Sequence, residues 1–163
     1  METEKKIQVS VVMGSQSDWL TMQAACDILQ KFDISFEKKI VSAHRTPDRL
    51  YQYANSLSKR KVKVVIAGAG GAAHLPGMIA SKTDVPVIGV PINATDLKGL
   101  DSLYSIVQMP RGYPVATMAI GAPGAFNAAI FAIQVLAVSD VMISKKIKKW
   151  RFDTTNQVKD EPE

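Results

Sequence analysis

Three short stretches hold most of the side chains in this sequence that could do chemistry. MGSQSD (13–18) sets Ser15, Ser17 and Asp18 after Gly14, SAHRTP (42–47) sets His44 beside Arg45, and AGAGGAAH (67–74) ends in His74, the second of the two histidines among 163 residues. At the start of a helix, free backbone N–H groups and hydroxyls suit an anion. Asp18 would be unhelpful beside a phosphate, but it could accept hydrogen bonds from sugar hydroxyls. The same residues also suit a plain cap, with Ser17 capping and Asp18 complementing the helix dipole, worth ~1 kcal/mol. An imidazole can give and take a proton near neutral pH, and the neighbouring Arg45 can hold a phosphate or carboxylate. The alternative for His44 is a ring that merely bonds a nearby carbonyl. Clustered glycines let the backbone approach a ligand closely. AGAGG is not G-x-G-x-x-G and lacks a P-loop lysine, so it argues against a dinucleotide or ATP site. His74 is open both to a role in the site and to a structural hydrogen bond. Two histidines without nearby cysteine or carboxylate ligands do not make a metal site, and the expectation is no metal and no cofactor.

The elements that must position these residues alternate. Ile7–Met13, Ser35–Val41, Val62–Ala67, Val85–Val90 and Val115–Ile120 read as strands, buried on both faces. Between them the apolar stripes of Ser17–Lys31, the segment opening at Thr46-Pro47-Asp48, Leu75–Lys82 and Leu100–Gln108 read as helices. Thr46 is the expected N-cap of its helix. This alternation predicts an α/β fold, a three-layer, flavodoxin-like, doubly wound parallel sheet of five strands in the order 2-1-3-4-5. In such sheets ligands sit beyond the carboxyl ends of the strands, at the switch point. All three stretches fall at such ends. The last long helix, about Ala125–Val138, is apolar nearly all round in AAIFAIQVLAV (128–138), which points to burial against another subunit. The expected division is a catalytic domain over 1–138 and a C-terminal helical extension with a charged tail over 139–163, running away from the core.

Composition narrows the class further. Hydrophobic content is 47%, charged content 21% and net charge +5, ordinary for a globular chain. With Cys26 alone, no intrachain disulfide can form, and a reducing cytoplasm is the expectation. METEKKIQVS lacks the apolar core of a signal peptide, and no apolar run approaches the ~20 residues of a membrane span. The KKIKK run (145–149) reads as a solvated helix end, so neither nucleic acid nor membrane is expected as a partner. A mild positive charge suits a phosphorylated small molecule.

Taken together, GSQSDW, SAHRTPD, AGAGGAAHLPGM, DSLYSIVQMP and GAFNAA resemble the class I 5-(carboxyamino)imidazole ribonucleotide mutases of purine biosynthesis, from about Val9 to Ala137. The resemblance implies a carboxylate moved from the exocyclic nitrogen to ring carbon 4, without metal, biotin or ATP. It also implies a homo-octamer with sites at subunit contacts, and admits a transient contact with the synthase that makes the substrate. His44 matches the catalytic histidine of that family. Ser15, Asp18 and Arg45 match its ligand-binding positions, and Gly14, Ser17, Ser42, Ala69, Gly70, Gly71 and His74 complete the candidate substrate-binding set. The related aminoimidazole ribonucleotide carboxylases, which take CO2 directly, are the alternative; their loop tends to read His-Lys where this chain has His44-Arg45. Ala94, Tyr104, Tyr113 and Pro123 depart from the usual pattern.

Overall fold

Three segments of small and β-branched residues run without an exposed position almost from end to end, and they become the centre of the sheet. In the computed structural model, which describes residues 6–162, these are β1 (Val9–Met13), β3 (Val64–Gly70) and β4 (Val87–Ile92). β2 (Phe36–Ile40) and β5 (Ala116–Thr117) complete a five-stranded parallel sheet in the order β2-β1-β3-β4-β5. The expected strand order is therefore found. Register places Met13 beside Ile40 and Gly68, and Gly70 beside Ile92, so β1 and β2 end at one level and β3 and β4 run two residues further.

Helices cover both faces, which is why the central strands lack polar alternation. On one face α1 (Trp19–Lys31) and α5 (Ala122–Ala137) bury Met22, Leu29 and Ile133 against Val9, Val11 and Ile66. On the other, α2 (Pro47–Ser56), α3 (Leu75–Ala80) and α4 (Leu100–Val107) bury Leu50, Ile79 and Ile106 against Val12, Val65 and Val87. Cys26 is part of the first core, and burial pushes its thiol up to about 11. Ser10, wholly buried in β1, is satisfied by the Tyr53 hydroxyl at 2.6 Å and the Glu37 carboxylate at 2.8 Å.

Several expectations need correction. β2 is not buried on both faces: Lys38, Lys39 and Ile40 are exposed along an edge strand, where lysines discourage pairing with another chain. β5 is two residues rather than six. Its neighbour β4 contains Pro91, which has no N–H to donate to a further rung, and Met118 and Gly121 reach Gly89 and Pro91 only by isolated bonds. The opening of the first helix, Gln16–Asp18, is a 3-10 turn preceding α1. Thr46 stands at the N-cap of α2, yet its hydroxyl serves the preceding turn instead, accepting from the Ser42 N–H at 3.1 Å and donating to the Ser42 carbonyl at 2.9 Å.

The two largest corrections concern the C-terminal third. α5 buries Ala128, Ala129, Ile130, Ala132, Ile133 and Leu136 within its own chain, so its all-round apolar character does not by itself require a second subunit. The chain after Ser139 does not run away from the core. It forms α6 (Val141–Asn156), capped by the Asp140 carboxylate, which accepts from the N–H groups of Met142 (2.9 Å) and Ile143 (3.1 Å). Ile143, Ile147 and Trp150 lie at i, i+4 and i+7 and face inward. Trp150 meets Phe32 edge-on at 6.1 Å between centroids and Phe126 at 6.4 Å. The lysines around Ile147 hide this stripe in the sequence. Among the described residues no helix is long and apolar enough to cross a membrane.

If α6 is part of the core, Ile147→Ala should lower unfolding stability by about 2–3 kcal/mol, read from urea titration. Val138→Ala, at a side chain 89% exposed, should change it by less than about 0.5 kcal/mol. Equal, small effects at both positions would show that α6 is not packed as described.

Candidate active site

The loops after β1 and β3, with the turn after β2, enclose a cleft of about 360 Å³ at the carboxyl edge of the sheet. The first loop contributes Gly14, Ser15, Ser17 and Asp18. The second contributes Ser42, His44 and Arg45; the last residues of β3 contribute Ala69 and Gly70, and the loop after it His74. All the expected residues but one therefore meet at a single cleft. Gly71 does not line it; with φ +66° it makes the turn that brings the third loop round.

Each loop is held by short local bonds. The Asp18 carboxylate accepts from the Ser15 N–H at 2.9 Å, and the hydroxyls of Ser15 and Ser17 lie 2.6 Å apart. The cap of this turn is therefore Ser15 rather than the expected Ser17: Ser15 and Asp18 form a capping box, which uses one carboxylate oxygen of Asp18 and leaves Ser17 beside the cleft. Arg45 spans two loops: its Nε donates to the Ser42 hydroxyl at 3.1 Å and its terminal nitrogen to the Gly14 carbonyl at 3.2 Å. The guanidinium is thereby fixed beside the first loop by a hydroxyl and a carbonyl.

The two histidines meet. His44 Nε2 and His74 Nδ1 are 2.7 Å apart, with their rings perpendicular and 4.9 Å between centroids. One nitrogen of this pair must donate and the other accept. The contact therefore excludes two fully protonated rings and leaves each ring a second nitrogen free for a ligand or water. A proton delivered to either ring can be shared along the pair.

Asp18 is the one strongly buried charge in the cleft, with 7% of its surface exposed. Burial holds its carboxyl above the usual carboxylate range, opposed by the hydrogen bonds from Ser15 and Gly14 and by the charge of Arg45. Among the described residues no three His, Cys, Asp or Glu side chains group as a metal site would need.

Ala43, Ala72 and Leu75 also line the cleft, though nothing in their chemistry singles them out, and so does Ala94, one of the departures from the usual pattern. Their side chains carry no functional group, so only position could identify them. Their role is shape. A Cβ on Gly70 would stand 2.5 Å from the Cβ of Ala94, so the end of β3 and the loop after β4 approach this closely only because both residues are small.

Comparison with known proteins gives this geometry a context. A family model described as AIR carboxylase matches residues 8–157. A Haemophilus influenzae protein named N5-carboxyaminoimidazole ribonucleotide mutase is 54% identical over 98% of this chain and 97% of its own length. A Saccharolobus solfataricus protein of the same name is 56% identical, covering 93% of this chain and 94% of its own. A crystal structure of Treponema denticola PurE superposes with a TM-score of 0.84 over 92% of both chains at 24% identity, a likeness of fold.

The burial of Asp18 has a measurable consequence. Its folded titration is raised, so the carboxylate destabilises the fold above that titration, and the penalty disappears as pH falls and the group becomes neutral. Asp18→Asn, which keeps an acceptor for Ser15, should equal or exceed the parent's stability at neutral pH by up to about 1 kcal/mol. That advantage should fade on acidification through the raised titration. A variant less stable at neutral pH, gaining on the parent as pH falls, would contradict this assignment.

Proposed function

This chain belongs to the AIR carboxylase family, and from that premise we propose that its cleft converts 5-(carboxyamino)imidazole ribonucleotide into 4-carboxy-5-aminoimidazole ribonucleotide. The substrate is the one named for the relatives, and the reaction is an isomerisation within purine biosynthesis. The observation that carries the mechanism is His44, at the ligand edge of the sheet, bonded to His74 and adjacent to the fixed Arg45.

The chemistry follows from the atoms. The substrate's exocyclic nitrogen bears a carboxylate, and protonating that nitrogen from the His44 imidazolium lets the N–C bond break and release CO2. Carbon 4 of the electron-rich ring then attacks the CO2 carbon, forming the new C–C bond. Loss of the carbon 4 proton to His44 restores aromaticity and returns the imidazolium. One proton is given and one taken, so a single acid–base group closes the cycle. His74 holds the His44 ring and offers the proton a second site.

Binding can be divided among the loops. Arg45 receives the phosphate, with backbone N–H groups of the first loop. Asp18 accepts from ribose hydroxyls through the oxygen not used by Ser15. Ser15, with Ser17, orders the carboxylate end. Ala69, Gly70 and Ala72 wall the space in which CO2 waits and keep water from it. The apolar side chains exposed on and before α4, Leu97, Leu100, Tyr104 and Val107, support assembly of subunits over this edge, and we read the enzyme as a cytoplasmic homo-octamer. Transient contact with the synthase that makes the labile substrate fits the same reading. The direct carboxylase is disfavoured by Arg45 following His44 and by the mutase names of the relatives.

His44→Asn should lower kcat by roughly 10²–10⁴-fold while the Kd for the product, by calorimetry, stays within about threefold of the parent. Full turnover in this variant would remove His44 from the mechanism.

A further inference from the structure

The wall of the cleft has no side-chain anchor of its own. Ala69 and Gly70 are held by the β3–β4 ladder, but Gly71, Ala72 and Ala73 beyond it carry no side chain that could hydrogen-bond, so the height of this part of the wall depends on its backbone groups. At its turn, Gly71 leaves the β3–β4 ladder one residue after the Gly70–Ile92 pair. Its N–H does not reach the β4 backbone directly. Ser102, in the first turn of α4 and with no exposed surface, stands between the two. Its hydroxyl accepts from the Gly71 N–H at 2.9 Å and donates to the Ile92 carbonyl at 2.8 Å. A hydroxyl has one hydrogen and two lone pairs, so both bonds form at once.

The same helix stands close to the other polar group of Gly71. The Ser105 hydroxyl gives its one hydrogen to the Asp101 carbonyl at 2.7 Å and lies 3.4 Å from the Gly71 carbonyl, so Ser102 is the side chain that holds this turn. Ser102 is itself fixed, its N–H donating to Asp101 Oδ1 at 2.9 Å, while Asp101 accepts from Thr95 at 2.6 Å. The wall continues from Gly71 to His74, whose ring meets His44. A shift at Gly71 therefore opens the wall at its turn, three residues before His74.

We propose that Ser102 is a positioning residue that keeps the 69–74 wall closed over the CO2 intermediate, so that CO2 is recaptured by carbon 4 rather than lost. The proposal rests on the mutase reading of the cleft and deepens it. Ser102 touches neither the cleft nor any reacting atom. Its effect is on the fate of the intermediate, since a loose wall still allows His44 to protonate the substrate nitrogen and release CO2.

The test gives the N-carboxylated ribonucleotide to the parent protein, Ser102→Ala and Ser102→Thr. The 4-carboxylated product and the decarboxylated aminoimidazole ribonucleotide are measured together, with spontaneous decay subtracted. In Ser102→Ala the enzyme-dependent share escaping as decarboxylated ribonucleotide should rise about tenfold, as loss of a buried partner implies, while substrate consumption changes less than about threefold. Ser102→Thr, which keeps the hydroxyl, should return the share towards the parent's. Hydrogen exchange at the Gly71 amide should be at least about tenfold faster in Ser102→Ala. If Ser102→Ala does not fold, Ser102→Cys, whose thiol is only a weak donor and acceptor, should show a smaller rise in escape and a smaller gain in exchange at Gly71. An unchanged product ratio in the folded variant, or unchanged exchange at Gly71, overturns the role of Ser102 alone. A parent protein that makes no 4-carboxylated product overturns the mutase reading, and the proposal with it.

Discussion

The cleft exists because β1 and β3, neighbours in the sheet, send their following helices to opposite faces. α1 leaves β1 for the face shared with α5, and α3 leaves β3 for the face shared with α2 and α4. The two loops part as they rise from adjacent strand ends, and a crevice opens between them at the point where strand order reverses. Register then sets its depth: Met13 pairs with Gly68, so β3 overshoots β1 by two residues and the glycine-rich loop stands as a wall beside the serine loop. The turn after β2 closes the third side with His44 and Arg45.

Within that crevice the charges are arranged against the fold's own interest. Asp18 is buried where its ionised form is unfavourable, and Arg45 is tied to a hydroxyl and a carbonyl instead of a carboxylate. A ligand carrying phosphate and hydroxyl groups would complete both, so binding energy can come from groups the protein has already fixed. In the proposed reaction the small wall residues would hold the intermediate and the paired imidazoles would move the proton.

Much of this was legible in the residues themselves. Buried, unalternating strands, helices between them and three polar or glycine-rich strand ends determined the sheet order and brought Gly14, Ser15, Ser17, Asp18, Ser42, His44, Arg45, Ala69, Gly70 and His74 to one edge. What escaped had physical causes. The inward stripe of α6 is three residues set among five cations between Lys145 and Arg151, so charge masked periodicity. β5 shortened because a proline on its neighbour removes a donor, which a one-strand reading cannot weigh. Ala94 and Ser102 matter through proximity to Gly70 and Gly71 across the crossover from β3 to β4, and nothing in their types or spacing announces it.

The central claim is that carboxylate moves within one closed cleft. It is tested most directly by giving the purified protein N-carboxylated ribonucleotide with a ¹³C-labelled carboxylate, in buffer containing unlabelled bicarbonate and no ATP. The label in the carbon 4 carboxylate of the product is then measured at early conversion. Retention of most of the label is the expected result, because CO2 released behind the 69–74 wall is recaptured before it escapes. Label diluted to the level of the bulk bicarbonate would contradict the account and mark the enzyme as one that takes CO2 directly from solution.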